Sequence, residues 1–281
     1  MRLRGVRGSR NIEDRRRQRG GGGKGGAKIG GVGLLIILAV GYFAGVDVSG
    51  LLQQLDAPAQ SAPRQVSAQD EHAAQFTSQV LATTETVWSQ VFPDQLGREY
   101  QAPVLVLFAG QTSSPCGGAS GATGPFYCPA DEKAYLDTEF FDTLARNLGA
   151  KGDFAAAYVI AHEVAHHVQN ELGILGEVNK RRKTASEAQA NALTVRLELQ
   201  ADCLSGVWAR YVDGMLEPGD LNEALNAARK IGDDHLQRRA GRVPQPHTFT
   251  HGTSEQRARW FARGYDGGQV RDCDTFGTEQ L

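Results

Sequence analysis

Two histidines and a glutamate stand at the spacing of a metal-dependent hydrolase. The stretch His162-Glu163-Val164-Ala165-His166 lies in an apolar run with the periodicity of a helix. Residues four apart share a helix face, so His162 and His166 can direct two imidazoles to one point, whereas Glu163 is rotated by about 100°. Two neutral imidazoles beside a carboxylate are typical of catalytic zinc. The spacing therefore predicts a Zn²⁺ site, with Glu163 taking a proton from metal-activated water.

A catalytic zinc needs a third protein ligand and keeps a fourth position open for water. The best candidate is Glu198, in a second helical pattern where Asp202 follows four residues later on the same face. We expect Glu198 to bind the metal. We expect Asp202 to accept a hydrogen bond from His162 or His166, which fixes the tautomer of that ring. The alternatives are a chance match to the motif and an ordinary solvated helix face.

These residues resemble the glutamate-zincin metallopeptidases, in which a downstream helix supplies a glutamate ligand followed four residues later by an aspartate. The closer resemblance is to the neutral zinc metallopeptidase family of membrane-anchored bacterial proteins. It covers nearly the whole chain and rests on four stretches: Phe126-Tyr127-Cys128-Pro129-Ala130-Asp131, His162-Glu163-Val164-Ala165-His166-His167, Glu198-Leu199-Gln200-Ala201-Asp202-Cys203 and His251-Gly252-Thr253-Ser254.

We expect a peptide or protein substrate. The resemblance itself implies a zincin fold and a zinc cofactor, and it does not carry over the substrates of the family. It also implies that a sheet edge formed by residues 125–137 pairs with extended substrate beside the metal, by strand addition. A purely structural hairpin is the alternative interpretation of that segment.

His251 is the further histidine that we expect in the active site. It lies in a loop just before a helix that Thr253 caps, with Gln256 completing a capping box. Its expected role is to donate a hydrogen bond to the oxyanion of the tetrahedral intermediate. A local structural histidine is the alternative. His167 is rotated by about 100° from His166 and is not expected to be a ligand.

The length of 281 residues suits one sizeable domain with accessory segments. The expected fold is α+β, a mostly helical zincin-like domain with a small sheet beside the motif helix, preceded by one transmembrane helix. The predicted divisions are residues 1–28, a basic Gly-rich tail; 29–46, a transmembrane anchor; 47–66, a linker; and 67–281, the metallopeptidase domain.

Apolar periodicity and turn residues predict the individual elements. Helices are expected over 68–91, from 138 to 148, from 155 to 173, around Glu198 to about 212, over 221–240 and after 253; strands are expected over 103–108, 125–129 and 134–137. The polar stretch 177–193 is either helical or mobile.

The N-terminal region combines strong positive charge with an apolar stretch. Residues 1–28 carry ten Lys or Arg beside Glu13 and Asp14, and Arg and Gly runs of this kind predict disorder. A basic tail can indicate nucleic acid. However, the 18 uncharged residues 29–46 are just long enough for a bilayer helix, so we expect a membrane and no nucleic acid. The positive-inside tendency predicts an inner-membrane, single-pass protein with a cytoplasmic N-terminus and an extracytoplasmic catalytic domain. A signal peptide cleaved near Ala59 is the alternative.

Four cysteines suit an exported domain, since disulfides persist in oxidising compartments. We expect Cys116 to pair with Cys128 and Cys203 with Cys273, although four cysteines allow three pairings and sequence alone does not choose among them. Thiolate zinc ligands are the alternative, disfavoured because the spacings contain no Cys-x-x-Cys pair.

Together these patterns predict a membrane-anchored zinc metalloendopeptidase that hydrolyses peptide bonds with Glu163 as the general base. Two other classes remain open. One is a zinc hydrolase that acts on a bond other than a peptide. The other is a catalytically silent binding module that keeps zinc for stability.

Overall fold

The computed structural model describes residues 1–18, 65–120 and 124–281. This part of the chain is mostly helical with a small sheet, which confirms the expected α+β class. Its longer helices are α1 (Ala68–Val91), α2 (Asp153–Glu171), α3 (Ile174–Arg182), α4 (Glu187–Tyr211), α5 (Asp220–Lys230), α6 (Asp233–Arg239) and α7 (Ser254–Gly267). Its strands are β1 (Ile12–Asp14), β2 (Val104–Phe108), β3 (Gln111–Ser114), β4 (Gly117–Ser120), β5 (Phe126–Cys128) and β6 (Lys133–Asp137).

Four strands form a sheet in the order β1-β2-β6-β5, and β3 and β4 form a separate antiparallel hairpin. β2 pairs in parallel with β1 and with β6, whereas β5 pairs antiparallel with β6. The apolar run of β2 is buried on both faces: Leu105 and Leu107 join the main core, and Val106 and Phe108 join a smaller core beside the hairpin. The strand predicted from this run is therefore confirmed, and β5 lies at one edge of the sheet.

The motif helix α2 runs through the main core and contacts α1, α4 and α5. Its Phe154 stacks on Trp208 of α4 with ring centroids 5.7 Å apart. The indole of Trp208 donates to Thr83 Oγ1 of α1 at 3.1 Å, so α4 is tied to α1 as well as to α2. This packing holds α2 and α4 side by side, which is the arrangement that the predicted site requires.

Residues 1–18 pack against the domain, although their composition predicts disorder. Residues 12–14 form β1, which extends the sheet beside β2. Arg16 is only 6% exposed; it pairs with Asp14 at 2.6 Å and donates to the main-chain oxygen of Asp70 at 2.8 Å. The prediction of disorder is wrong for this segment because the pairing of β1 with β2 and the hydrogen bond of Arg16 to Asp70 hold it against the domain. A composition average does not register such individual contacts.

The pairing of β1 with β2 also bears on the predicted membrane topology. The predicted anchor, residues 29–46, and most of the predicted linker lie outside the described residues. Within the described ranges, no helix combines the length and apolar character needed to cross a membrane. The pairing of β1 with β2 places residues 12–14 beside the catalytic domain. The described residues therefore give no support to the predicted anchor, and the single-pass topology stays a prediction.

Two polar stretches of the chain each contain parts of two helices. The predicted helix 221–240 is two helices, α5 and α6, because the chain leaves the helical path at Ile231 and Gly232. The break turns the start of α6 so that Asp234 Oδ1 accepts a hydrogen bond from the main-chain N–H of Ser254 at 2.6 Å. The stretch 177–193 is largely helical: it contains the end of α3 and the start of α4.

Both expected disulfides are present, between Cys116 and Cys128 and between Cys203 and Cys273. The four cysteines are thereby all paired, which excludes thiolate zinc ligands. Paired cysteines of this kind are typical of extracytoplasmic domains. The second bridge ties the C-terminal segment to α4, the helix that carries Glu198.

The two disulfides are expected to stabilise the fold unequally. They close loops with sequence separations of 12 and 70 residues. Loop-closure entropy in the unfolded chain then predicts about 3 kcal/mol for the first bridge and about 4 kcal/mol for the second. Urea unfolding of the paired Cys→Ser variants measures both losses. A larger loss from removing the Cys116–Cys128 bridge would contradict this order.

Candidate active site

The start of α2 is fixed by a carboxylate from another helix. Asp153 is the first helical residue and Gly152 the N-cap, which has no side chain to cap the helix. The main-chain N–H of Phe154 donates instead to Glu223 Oε2 of α5 at 3.1 Å. A carboxylate at this position satisfies a free N–H and complements the helix dipole. The first turn of the motif helix is therefore held by α5.

A close contact between α4 and α7 shapes the other side of the site. Gly206 of α4 and Gly264 of α7 lie where a Cβ on either would overlap main-chain atoms of the facing helix. Only glycine at both positions lets the two backbones approach this closely. The contact brings Arg257, in the first turn of α7, against Asp202 of α4.

The structure brings His162, His166 and Glu198 together. Glu198 Oε2 lies 3.2 Å from His162 Nε2, and Glu198 Oε1 lies 3.4 Å from His166 Nε2. The three ligand atoms all lie within 4.8 Å of one another, and all three side chains are largely buried. The glutamate carboxylate thus spans both imidazoles, so the three residues predicted as metal ligands lie together.

Asp202 lies behind His162 rather than behind His166. Its Oδ1 accepts hydrogen bonds from His162 Nδ1 at 2.9 Å and from the hydroxyl of Tyr158 at 2.5 Å. Arg257 contacts both oxygens of the same carboxylate, with Nε 2.8 Å from Oδ2 and Nη2 2.9 Å from Oδ1. Asp202, Tyr158, His162 and Arg257 form a buried polar network that fixes the orientation of the His162 ring.

The orientation of His162 places two electron-rich groups, its Nε2 atom and the Glu198 carboxylate, where they could both bind a cation. Because Nδ1 donates to Asp202, a neutral ring presents the lone pair of Nε2 to the Glu198 carboxylate. Burial disfavours the charged ring, but Asp202 and Glu198 outweigh burial and raise the pKa of His162 to about 10. A proton therefore occupies this position without metal, and a divalent cation would replace it. The site fits a metal ion on these grounds.

The two glutamates of the site have opposite pKa shifts. Burial alone would raise the pKa of Glu198, but the rings of His166 and His162 hold it well below its ordinary value. Glu163 is 8% exposed, and burial raises its pKa despite the nearby histidines. Glu198 therefore stays anionic, as a ligand must, while Glu163 binds a proton more readily, which suits a general base.

His251 lies beside this cluster in a tightly held loop. Asp233 Oδ2 accepts hydrogen bonds from the main-chain N–H groups of Thr250, His251 and Gly252, and Asp233 Oδ1 lies 3.3 Å from His251 Nδ1. Gly252 adopts φ +88°, a conformation that favours glycine. The His251 side chain is 43% exposed, and its charge contributes to lowering the pKa of Glu198. A partly exposed, anchored imidazole near the candidate ligands suits contact with a substrate.

Sequence reasoning did not identify Tyr158, Arg257 and Asp233 as parts of the site. A signal for Arg257 was available, because it shares the helical spacing of the buried Trp260, Phe261 and Gly264. An arginine within an apolar helix stripe needs a buried anion as its partner. Tyr158 and Asp233 carry no comparable signal in the sequence.

β5, at the edge of the sheet, lies beside the motif helix. Its Tyr127 hydroxyl lies 3.0 Å from His167 Nδ1, and His167 Nε2 donates to the main-chain oxygen of Gln101 at 2.6 Å. Both ring nitrogens of His167 are thus engaged away from the triad, consistent with the expectation that it is not a ligand. Among the described residues, β6 is the strand paired with β5, and no strand covers the opposite edge.

The donor set of this site is one that metal-dependent hydrolases use. Two imidazole nitrogens and one carboxylate are the protein ligands of one common type of catalytic zinc site. The chain belongs to the family described as Putative neutral zinc metallopeptidase, whose model matches residues 1–276. Membership of this family implies a zinc cofactor.

Similar proteins occur in distant bacteria. The uncharacterized protein YpfJ of Escherichia coli K12 is 49% identical over 286 residues, covering 99% of each chain. The uncharacterized protein Rv2575 of Mycobacterium tuberculosis H37Rv is 40% identical over 259 residues, covering 84% of this chain and 85% of the relative. No solved structure matched the chain.

Proposed function

We propose that this protein is a zinc metalloendopeptidase that hydrolyses peptide bonds in a peptide or protein substrate. The observation that carries the proposal is the Glu198 carboxylate, whose two oxygens face His162 Nε2 and His166 Nε2 at 3.2 and 3.4 Å. With three protein ligands, a zinc ion keeps its fourth coordination position open for water. Catalytic zinc sites have this open position, whereas structural zinc sites are filled by four protein ligands. Membership of a zinc metallopeptidase family supports the same reaction, and the two disulfides support an extracytoplasmic location of the domain.

Each residue has a separate task in this proposal. His162, His166 and Glu198 hold the zinc, which when bound supplies Lewis-acid chemistry by polarising a carbonyl and acidifying water. Glu163 accepts a proton from the attacking water and transfers it to the leaving amine. His251 donates a hydrogen bond to the oxyanion, and Asp233 holds the loop from which it does so.

β5 is the surface that we propose for binding the substrate backbone. It contacts α2, the helix that carries His162 and His166, and within the described residues no strand pairs with its outer edge. An extended peptide can add to such an edge through main-chain hydrogen bonds, which recognise peptides of many sequences. This mode of binding favours a peptide substrate over a small ester.

Metal removal tests the proposal directly. The full-length protein is treated with a chelator, and cleavage of a proteome-derived peptide library is followed before and after one equivalent of Zn²⁺ is restored. Cleavage is expected to disappear with the metal and to return with it, because the metal supplies the Lewis acid.

Two outcomes would point to the other classes. A zinc-loaded protein that leaves the library intact but cleaves an ester or a cell-wall amide would replace the peptidase by a hydrolase of another bond. A protein that binds zinc and unfolds without it, yet cleaves none of these substrates, would indicate a silent zinc-stabilised module.

A further inference from the structure

A series of amide hydrogen bonds runs from His166 away from the triad. His166 Nδ1 lies 2.8 Å from Gln169 Oε1. Gln169 Nε2 donates to the main-chain oxygen of Leu197 at 2.7 Å and to Gln200 Oε1 at 3.1 Å. Gln200 Nε2 donates in turn to the main-chain oxygen of Cys273 at 3.0 Å. The series therefore joins a candidate metal ligand to two main-chain carbonyls, one on α4 and one in the C-terminal segment.

The two carbonyls decide how both amides are oriented. A main-chain carbonyl only accepts hydrogen bonds, so the amide group that faces it must be the NH₂ group. Gln200 consequently presents its oxygen to Gln169, and Gln169 presents its oxygen to His166. An oxygen in that position requires a proton on His166 Nδ1. The lone pair of the neutral ring is then on Nε2, the nitrogen that faces Glu198.

Burial makes this series of bonds hard to replace by water. Gln169 is fully buried and Gln200 is 6% exposed. The Cys273 carbonyl at its far end belongs to a residue that is bonded to Cys203 of α4. A buried amide that loses one partner keeps an unsatisfied polar group, which disfavours any rotation of either side chain.

We propose that Gln169 and Gln200 are positioning residues that hold His166 in the tautomer a metal requires, with the disulfide-bonded C-terminal segment as their anchor. This inference rests on the proposed zinc site and adds residues to it that the metal-binding motif does not contain. It also gives the Cys203–Cys273 bridge a second task, since the bridge holds the carbonyl that orients Gln200.

The two histidines are thus oriented by different chemistry. His162 is held by the anionic Asp202, whose charge Arg257 balances, whereas His166 is held by a neutral amide. An anion at position 169 would keep an acceptor for His166 but would lose the N–H groups that serve Leu197 and Gln200. A neutral side chain that both accepts and donates is what this position needs.

The test compares three glutamine variants of the full-length protein. Gln169→Met removes the acceptor and is expected to weaken zinc binding by about 10- to 100-fold in competition with a chromophoric chelator, the usual effect of losing such a partner. Gln200→Met removes only the support of Gln169, and its loss is expected to be below about tenfold. Gln95→Met is the matched control: Gln95 also holds the C-terminal region, through Gly268 and Val270, and is expected to leave zinc affinity unchanged.

A second measurement does not depend on zinc. Imidazole ¹⁵N spectra of the metal-free protein are expected to show the neutral His166 ring protonated on Nδ1 in the wild type and in Gln95→Met. In Gln169→Met the proton is expected on Nε2, because the Glu198 carboxylate is then the acceptor that faces the ring.

The two readouts separate the inference from the proposed function. Unchanged zinc affinity and an unchanged tautomer in Gln169→Met would overturn the inference and leave the zinc site intact. A wild-type protein that binds no zinc would overturn the proposed function, whereas the spectra would still show whether Gln169 selects the tautomer. A Gln95→Met variant with equally weakened zinc binding would show that the effect is general destabilisation, which also overturns the inference.

Discussion

Glu163→Gln is expected to reduce kcat by about 10²- to 10⁴-fold while zinc stays bound, the range for removing a general acid–base group. Glutamine has nearly the same shape but cannot take a proton from water or return one to the leaving amine. Glu163 is not among the residues whose atoms meet at the candidate metal position. Metal affinity should therefore remain near the wild-type value. The measurement is kcat on a cleaved peptide together with zinc content of the same samples.

A matched variant shows whether the effect belongs to this carboxylate. Glu177→Gln makes the same chemical change at an exposed position of α3 and is expected to keep full activity. If Glu163→Gln retained activity, Glu163 could not be the general base. Loss of zinc together with activity would instead make Glu163 part of the metal-binding structure.

Arg257→Met is expected to destabilise the protein by about 3–5 kcal/mol, the range for removing one partner of a buried ion pair. Asp202 is fully buried, and the guanidinium of Arg257 contacts both of its oxygens. Without the arginine, the carboxylate would be left with the hydroxyl of Tyr158 and with the ring of His162, whose positive charge it shares with Glu198. Urea unfolding of the metal-free protein measures the loss.

Two controls show whether the stability lost in Arg257→Met comes from an unpaired buried charge or from lost packing. Arg238→Met breaks an exposed ion pair with Asp234 and is expected to cost less than about 1 kcal/mol. Asp202→Asn combined with Arg257→Met removes both buried charges and is expected to recover part of the stability lost by Arg257→Met alone. Equal losses from Arg257→Met and Arg238→Met would contradict the buried-pair account.

The effect of Arg257→Met should also depend on pH in a definite direction. Burial raises the pKa of Asp202, but Arg257 and His162 outweigh it and lower that pKa below its ordinary value. A carboxyl with a lowered folded-state pKa contributes stability above its unfolded-state pKa, and that contribution disappears as pH falls through the folded-state value. The stability difference between wild type and Arg257→Met is therefore expected to be largest at neutral pH. This difference in unfolding free energy should become smaller below about pH 4, near the unfolded-state pKa of an aspartate.

Local spacing explains why so much of the site could be predicted. Residues four apart meet on one helix face, so His162 and His166, and likewise Glu198 and Asp202, form pairs whatever the rest of the chain does. The buried runs of β2 and the apolar faces of the long helices follow from the same kind of periodicity. Position in a helix is a local property, and local properties can be read along the chain.

The predictions that were wrong concern segments whose structure is decided by contacts with other parts of the chain. Residues 1–18 have the composition of a disordered tail, yet the pairing of β1 with β2 and the hydrogen bond of Arg16 to the Asp70 carbonyl hold them on the domain. The predicted helix 221–240 has continuous helical character, yet the contact of Asp234 with the start of α7 accompanies a break. In both cases a contact with a distant part of the chain outweighed a local preference, as tertiary context often does.

The sequence alone determined which side chains share a helix face, which cysteines were available for bridges, and hence the chemistry the protein can perform. Only the tertiary structure decided that Asp202 serves His162 rather than His166, that Arg257 balances its charge, and that the Leu197 carbonyl turns the amide oxygen of Gln169 toward His166. The physical reason is that these choices depend on how α2, α4 and α7 pack against each other. Packing distances between helices are set by contacts such as that of Gly206 with Gly264, which no periodicity within one helix encodes.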